Sequence, residues 1–304
     1  MNPKPSIVSP RCRRAKKAGA FSLIEIMVAV ALLAVIIVGL LAMFYHVQRA
    51  FRSGVTQSDV MEGGRATMGL LVRELQEATA TRIPYTTNLI AIPSAGTAVW
   101  GEASVQDLPS GNGAERKNYL QDIAFLMQAN GNWKGISYRI ENKGNGGVGT
   151  LYRLEENLPY DSNPYAASNA LFNFSQAFFA STIDDNTNYH RVLDGVVHLY
   201  VNAYDTNGWL YSSAWLPTQT GGYAFTNNTV NPVPDYVGYT NVVMPAYLEV
   251  ELGVLEPSTT EKFRANLDVG AAASQNYLRR QVGRTHLFRQ RISIRPAASQ
   301  ITTD

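Results

Sequence analysis

Glu25 stands four residues after Phe21 and immediately before Ile26 to Phe44, a run without a charged side chain. An ionisable group inside a membrane segment costs several kcal/mol unless it is neutralised, and marks a functional site by default. A cut after Ala20 supplies a partner. The new α-amine of Phe21 lies one helical turn from Glu25, or reaches it from a neighbouring copy, and amine and carboxylate neutralise each other at that depth. Between copies the pairing favours a staggered register, so these residues point to self-assembly.

The element that positions Glu25 is a helix. Ile26 to Phe44 at about 1.5 Å per residue makes roughly 28 Å, nearly the thickness of a bilayer's hydrocarbon core. Its short flank carries Lys4, Arg11, Arg13, Arg14, Lys16 and Lys17, with no acidic residue before position 21. Such a flank stays in the cytoplasm and sends the bulk of the chain outward. A secretory signal peptide has a shorter apolar core and a small-x-small cleavage site close behind it, and neither is found here.

Lys16-Lys17-Ala18-Gly19-Ala20-Phe21-Ser22-Leu23-Ile24-Glu25 resembles the class III signal of type IV prepilins and type II secretion pseudopilins. The resemblance implies that a membrane aspartyl peptidase cuts before Phe21, that the new amine is methylated, and that Glu25, fifth in the mature chain, serves assembly. The family usually has Gly where Ala20 stands. Two frames are therefore open: a cut after Ala20, or one after Gly19 that makes Glu25 the sixth residue. The Phe-Ser-Leu-Ile-Glu frame favours the first.

The 304 residues are only 16% charged and include 16 Tyr and 24 Gly. That composition suits a β-rich extracytoplasmic domain of about 220 residues behind a long helix. Loss of residues 1–20 would change the formal charge from +2 to about −4, which gives no argument for nucleic-acid binding. Cys12, the single cysteine, falls in the leader, so a mature chain has no disulfide and no thiolate metal site.

The expected organisation is a basic leader (1–20), a transmembrane half-helix (21–44), an amphipathic half-helix (45–82) and a β-rich domain (83–304). Met61, Met68, Leu71, Leu75 and Ala78 fall near one stripe, with Arg65, Arg73, Glu74 and Glu77 off it. The spacing predicts a helix to about Ala80, roughly 90 Å long, packing that stripe on a sheet. Gly54 and Gly63-Gly64 mark either close packing or a hinge, and Pro84 ends the helix.

Residues 85–118 read as a loop. Strands are predicted at 123–127, 136–140, 150–154, 192–204, 246–254 and 285–295, with antiparallel hairpins across 142–147 and 205–208. A short helix is expected around 170–179 within a 157–190 insertion, a second insertion at 217–243, and partly helical chain at 256–284. In the strand 246–254, Leu248, Val250, Leu252 and Val254 point inward and Glu249 and Glu251 outward. In 285–295, Phe288, Ile292 and Ile294 share one face, and Arg289, Arg291 and Arg295 the other. With Arg279, Arg280 and Arg284 they form a basic patch, read either as a solvated face that discourages edge pairing or as a contact with an acidic subunit, lipid headgroups or DNA. The fold class is α+β: a long helix packed on an antiparallel sheet with long insertions.

The ectodomain also resembles the J-type minor pseudopilin of type II secretion. The carrying residues are Arg73-Glu74-Leu75 with Ala78, Ile136-Ser137-Tyr138-Arg139, Leu151-Tyr152-Arg153, Leu193-Asp194-Gly195-Val196, Tyr204-Asp205, Trp215 and Met244-Pro245-Ala246. It implies a single-pass protein of the bacterial inner membrane, periplasmic beyond the helix, that joins or caps a short fibre. The implied partners are a prepilin peptidase, other minor and major pseudopilins, an inner-membrane assembly platform and membrane lipid. A minor subunit of a type IV pilus, or an anchored glycan-binding or hydrolytic ectodomain, are the rival readings.

His46, His190, His198 and His286 have no zinc-type spacing, and no phosphate loop, dinucleotide fingerprint or nucleophile elbow occurs. No enzyme activity and no cofactor are expected. Asp184-Asp185-Asn186 with Asn188, and Asp205 with Asn207, are oxygen clusters that suit calcium or, more simply, loop and turn chemistry.

Overall fold

The longest element is the helix α1, Leu23–Gln76. The computed structural model describes residues 22–81, 86–94, 102–109, 113–142, 147–159, 170–180, 183, 188–210, 222–223, 237–240 and 244–294. It has two units, Met1–Gly54 and Val55–Asp304. In the first, the large apolar side chains of α1 from Leu23 to Phe51 are exposed among the described residues.

In the second unit α1 turns amphipathic. Val60, Gly64, Thr67, Met68, Leu71, Val72, Glu74 and Leu75 are buried, at the three- and four-residue spacing of one helical face. They lie against an antiparallel sheet. In chain order the other elements are β1 (Thr87–Pro93), β2 (Glu102–Asp107), β3 (Glu115–Tyr119), β4 (Gln121–Ala129), β5 (Asn132–Glu141), β6 (Gly149–Leu158), α2 (Ala170–Ala180), β7 (His190–Tyr204), β8 (Gly222–Tyr223), β9 (Val237–Thr240), β10 (Tyr247–Leu255), α3 (Pro257–Leu267), α4 (Ala271–Arg279) and β11 (Thr285–Ser293). Nine strands pair in the order β11-β10-β7-β6-β5-β4-β1-β9-β8, while β2 and β3 form a separate hairpin.

Alternation along the strands builds a core on each face. Ile123, Phe125, Ile136, Tyr138, Leu199, Val201, Leu248, Val250 and Leu252 meet α1. On the other face α2 places Leu171, Phe174 and Phe178 against Ile90, Ala124, Leu126 and Trp133. Phe263 of α3 and Leu278 of α4 pack with Val148, Val197 and Leu255. The long-helix-on-antiparallel-sheet architecture expected from the sequence is the one found.

Three differences have local causes. The helix ends at Gln76 rather than near Ala80, because Ala78 pairs with Met127 and the Thr79 amide donates to the Leu126 carbonyl at 2.8 Å, so β4 captures the chain. Pro84 lies outside the described residues. Residues 85–118 contain three strands, not one loop: β1 is buried on both faces, and β2–β3 fold over the sheet with Ser104, Gln106 and Asn118 buried. The β4–β5 hairpin turns at Asn130 and Gly131, both at positive φ (53° and 80°), the left-handed pair that a two-residue hairpin favours.

Candidate functional site

Ser22 starts α1. Its carbonyl accepts from the Glu25 and Ile26 amides at 3.0 and 3.3 Å, and its Oγ lies 3.3 Å from the Glu25 amide. A serine followed three residues later by glutamate is a helix-start signature, and a carboxylate in the first turn complements the amide-rich end. Glu25 is exposed there, at the head of the uncovered apolar surface that runs to Phe44. Ala20 and Phe21 lie outside the described residues.

The glycines of α1 divide. Gly39 and Gly54 have no other side chain within 4 Å, whereas the Phe288 ring lies directly against Gly64. Gly64 is thus a close-packing position, and the helix passes through Gly63-Gly64 without interruption.

Glu74, expected off the packed stripe, is buried and is the hub of a polar cluster. Arg153 donates to it through Nε at 3.0 Å and Nη2 at 2.7 Å, and the Tyr138 hydroxyl donates as well. Tyr138 and Arg153 are register partners on β5 and β6. Burial, then the Glu74 carboxylate, pushes the Tyr138 hydroxyl pKa up; burial opposes the Arg153 charge, but hydrogen bonds to Glu74 and Glu155 outweigh it and raise the guanidinium. Three of the short motifs noted in the sequence converge in this cluster.

Three of the six arginines in the basic patch are neutralised within the chain. Arg279 bonds Asp107 at 2.6 Å and also Glu115; Arg284 bonds Glu256 at 2.9 Å; Arg289 reaches Glu249 at 2.6 Å and Glu251 at 3.2 Å. Arg291 lies over the rings of Tyr204 and Tyr247, at 4.6 and 4.7 Å. Arg295 lies outside the described residues. Glu249 and Glu251 do point away from α1, yet Glu249 is buried beneath Arg289 and the Tyr204 hydroxyl.

The histidines stay apart. His46 and His190 are exposed, His286 lies 3.7 Å from Glu256, and buried His198 accepts the Tyr119 amide at 3.0 Å while its Nε2 lies 3.4 Å from Glu251. Among the described residues no three His, Cys, Asp or Glu side chains gather as metal ligands. Asp205 uses its Oδ1 to accept the Asn207 and Trp209 amides at 2.9 and 2.7 Å, which is turn chemistry. Asp184, Asp185 and Asn186 lie outside the described residues, as do Trp215, about half of the 157–190 insertion and most of the 217–243 insertion.

Residues 15–41 match the family described as the prokaryotic N-terminal methylation motif. No curated protein matches the chain. The match spans Lys16 and Lys17, Ala20, Phe21, Glu25 and most of the apolar run. It supports a type IV pilin-like subunit processed by a prepilin peptidase and anchored by one apolar helix.

Proposed function

We propose that this chain is a minor pilin-like subunit, a pseudopilin, that assembles into or caps a periplasmic fibre of a type II secretion-like system. The carrying observation is Glu25, exposed in the first turn of α1 at the head of an apolar surface that is exposed among the described residues. Residues 1–20 are the leader, Ala20 and Phe21 flank the cut, and Phe21 carries the methylated amine. Residues 21–44 cross the inner membrane, the basic leader holds the N-terminus in the cytoplasm, and the chain beyond stands in the periplasm. In the fibre the same apolar surface meets neighbouring helices, and each amine neutralises a Glu25 carboxylate. The role is structural rather than catalytic, and its partners are the peptidase, other major and minor subunits, and the assembly platform.

The deciding experiment is the mass of the N-terminal peptide from native membranes, together with a Glu25→Ala strain. A peptide beginning at N-methylated Phe21, and a variant that is inserted and cut but fails to join its neighbours, support the proposal. An intact leader at Met1 makes the chain a simple anchored ectodomain, and normal assembly of Glu25→Ala removes the amine pairing. Loss of secreted enzymes on deletion distinguishes the secretion fibre from a surface pilus, whose loss abolishes motility, adhesion or DNA uptake.

A further inference from the structure

Strand β11 is one end of the nine-stranded sheet. It pairs with β10 from Tyr247↔Ser293 to Leu255↔Thr285 without a register shift. The Ile294 amide donates to the Ala246 carbonyl at 3.0 Å, and the Glu256 amide to the Arg284 carbonyl at 3.1 Å. Bonded and non-bonded pairs alternate along an antiparallel ladder. Even-numbered residues of β11 therefore turn their backbone groups to β10, and Leu287, Arg289, Arg291 and Ser293 turn theirs outward. All four residues are exposed, and among the described residues no strand pairs with that outer edge.

Natural edges are blunted by proline, bulges, short length or projecting charge. From Thr285 to Ser293 there is no proline and no bulge. The two central arginines fold back over the sheet, Arg289 onto Glu249 and Glu251, Arg291 onto two tyrosine rings. The backbone edge is left open, and Arg289 is answered by carboxylates of the same sheet. Arg291 has no carboxylate partner among the described residues, and Leu287 next to it is 46% exposed. A second copy pairing β11 with β11 would set Arg289 and Arg291 against like charges, which destabilises a cross-strand pair.

We propose that β11 is a docking edge for an extended segment of another protein that alternates acidic and apolar residues, added as a further strand of the sheet. Its outward hydrogen bonds come from Leu287, Arg289, Arg291 and Ser293; its carboxylates lie on the face that carries Arg291, and its apolar residues on the opposite face, that of Phe288 and Ile292. The inference concerns the folded ectodomain and does not depend on which fibre the helix serves.

The test uses the full chain in detergent micelles and two blocked peptides, one alternating valine with glutamate and one alternating valine with lysine, read by amide hydrogen exchange. The glutamate peptide is expected to slow exchange at Leu287, Arg289 and Arg291 about tenfold, and the lysine peptide to leave it unchanged. Leu287→Pro removes an outward amide but no bond to β10, and should weaken binding about tenfold. Arg291→Glu should reverse the preference toward the lysine peptide, and decides the matter if Leu287→Pro fails to fold. Equal protection by both peptides or by neither overturns the proposal. So does protection in the peptide-free protein that grows with its concentration, which would make a second copy the occupant.

Discussion

At the scale of single residues, the buried Glu74–Arg153–Tyr138 cluster is the most exacting feature of the second unit. Removing one partner of a buried ion pair strands the other, at a cost of about 3–5 kcal/mol. Glu74→Ala and Arg153→Ala should each lower the unfolding midpoint sharply, while a double change to apolar residues should cost less than the two added; strict additivity in a denaturation series would mean that the pair is not coupled. Two other carboxylates set the acid response. Burial works to raise Asp194, but Arg264, Thr150 and the Gly195 amide hold it below the usual carboxylate range, and the His198 hydrogen bond, acting against burial, lowers Glu251. A depressed carboxyl contributes its stability above the unfolded pKa of about 4 and loses it as pH falls through the lower folded value. Asp122, raised by complete desolvation despite the Ile140 amide and Arg139, acts in the opposite sense. The thermal midpoint should therefore fall as pH drops below about 4, and Asp194→Asn should lower it at neutral pH while flattening that fall. An unchanged acid slope in the variant would place the sensitivity elsewhere.

At the scale of elements, the helix and the strands with clean alternation were legible in the sequence, because their apolar residues repeat at the helical or the two-residue period. β1, β2 and β3 were not: Leu89, Ile90 and Ala91 of β1 are buried in succession and so show no alternation, Asn88 beside them accepts the Thr81 amide, and the buried positions of β2 and β3 are polar, with Gln106 bonding Thr285 and Asn118 bonding Ser104. A core position filled by a satisfied amide looks like a loop residue in a hydropathy pattern. The Asn130-Gly131 turn, by contrast, did carry a readable signal between β4 and β5. The role of Glu74 was invisible because its partners are contributed by strands far along the chain. Packing at Gly64 gives a sharp contrast: Gly64→Val should destabilise the sheet-bearing unit by about 1–3 kcal/mol by driving a side chain into Phe288, while Gly54→Ala should be neutral or stabilise by up to about 1 kcal/mol. Phe288→Asp should cost about 2–4 kcal/mol and Arg291→Ala well under 1 kcal/mol. Equal midpoints for the last two variants would reverse the assignment of the faces of β11.

At the scale of the whole molecule, the division after Gly54 separates a segment with no core of its own from one that buries apolar residues on both faces of a sheet. A chain beginning at Val55 should remain folded and monodisperse in buffer without detergent, whereas the full chain should require a micelle. Circular dichroism and gel filtration check this, and aggregation of the shorter chain would show that α1 before Gly54 contributes to the fold of the sheet-bearing unit. The N-terminal motif could be read from a few adjacent residues because its chemistry is local. The polar cluster and the open sheet edge could not, since each depends on strand order. That order also bears on how the protein is made. Phe288 rests on Gly64, and more than two hundred roughly consecutive residues separate them; at synthesis rates of about 5–20 residues per second the helix waits roughly ten to forty-five seconds for its last covering strand. While the chain is being made, then, the second half of α1 stands with its apolar stripe incompletely covered until the C-terminal strand arrives, and it is most open to misassociation in that interval.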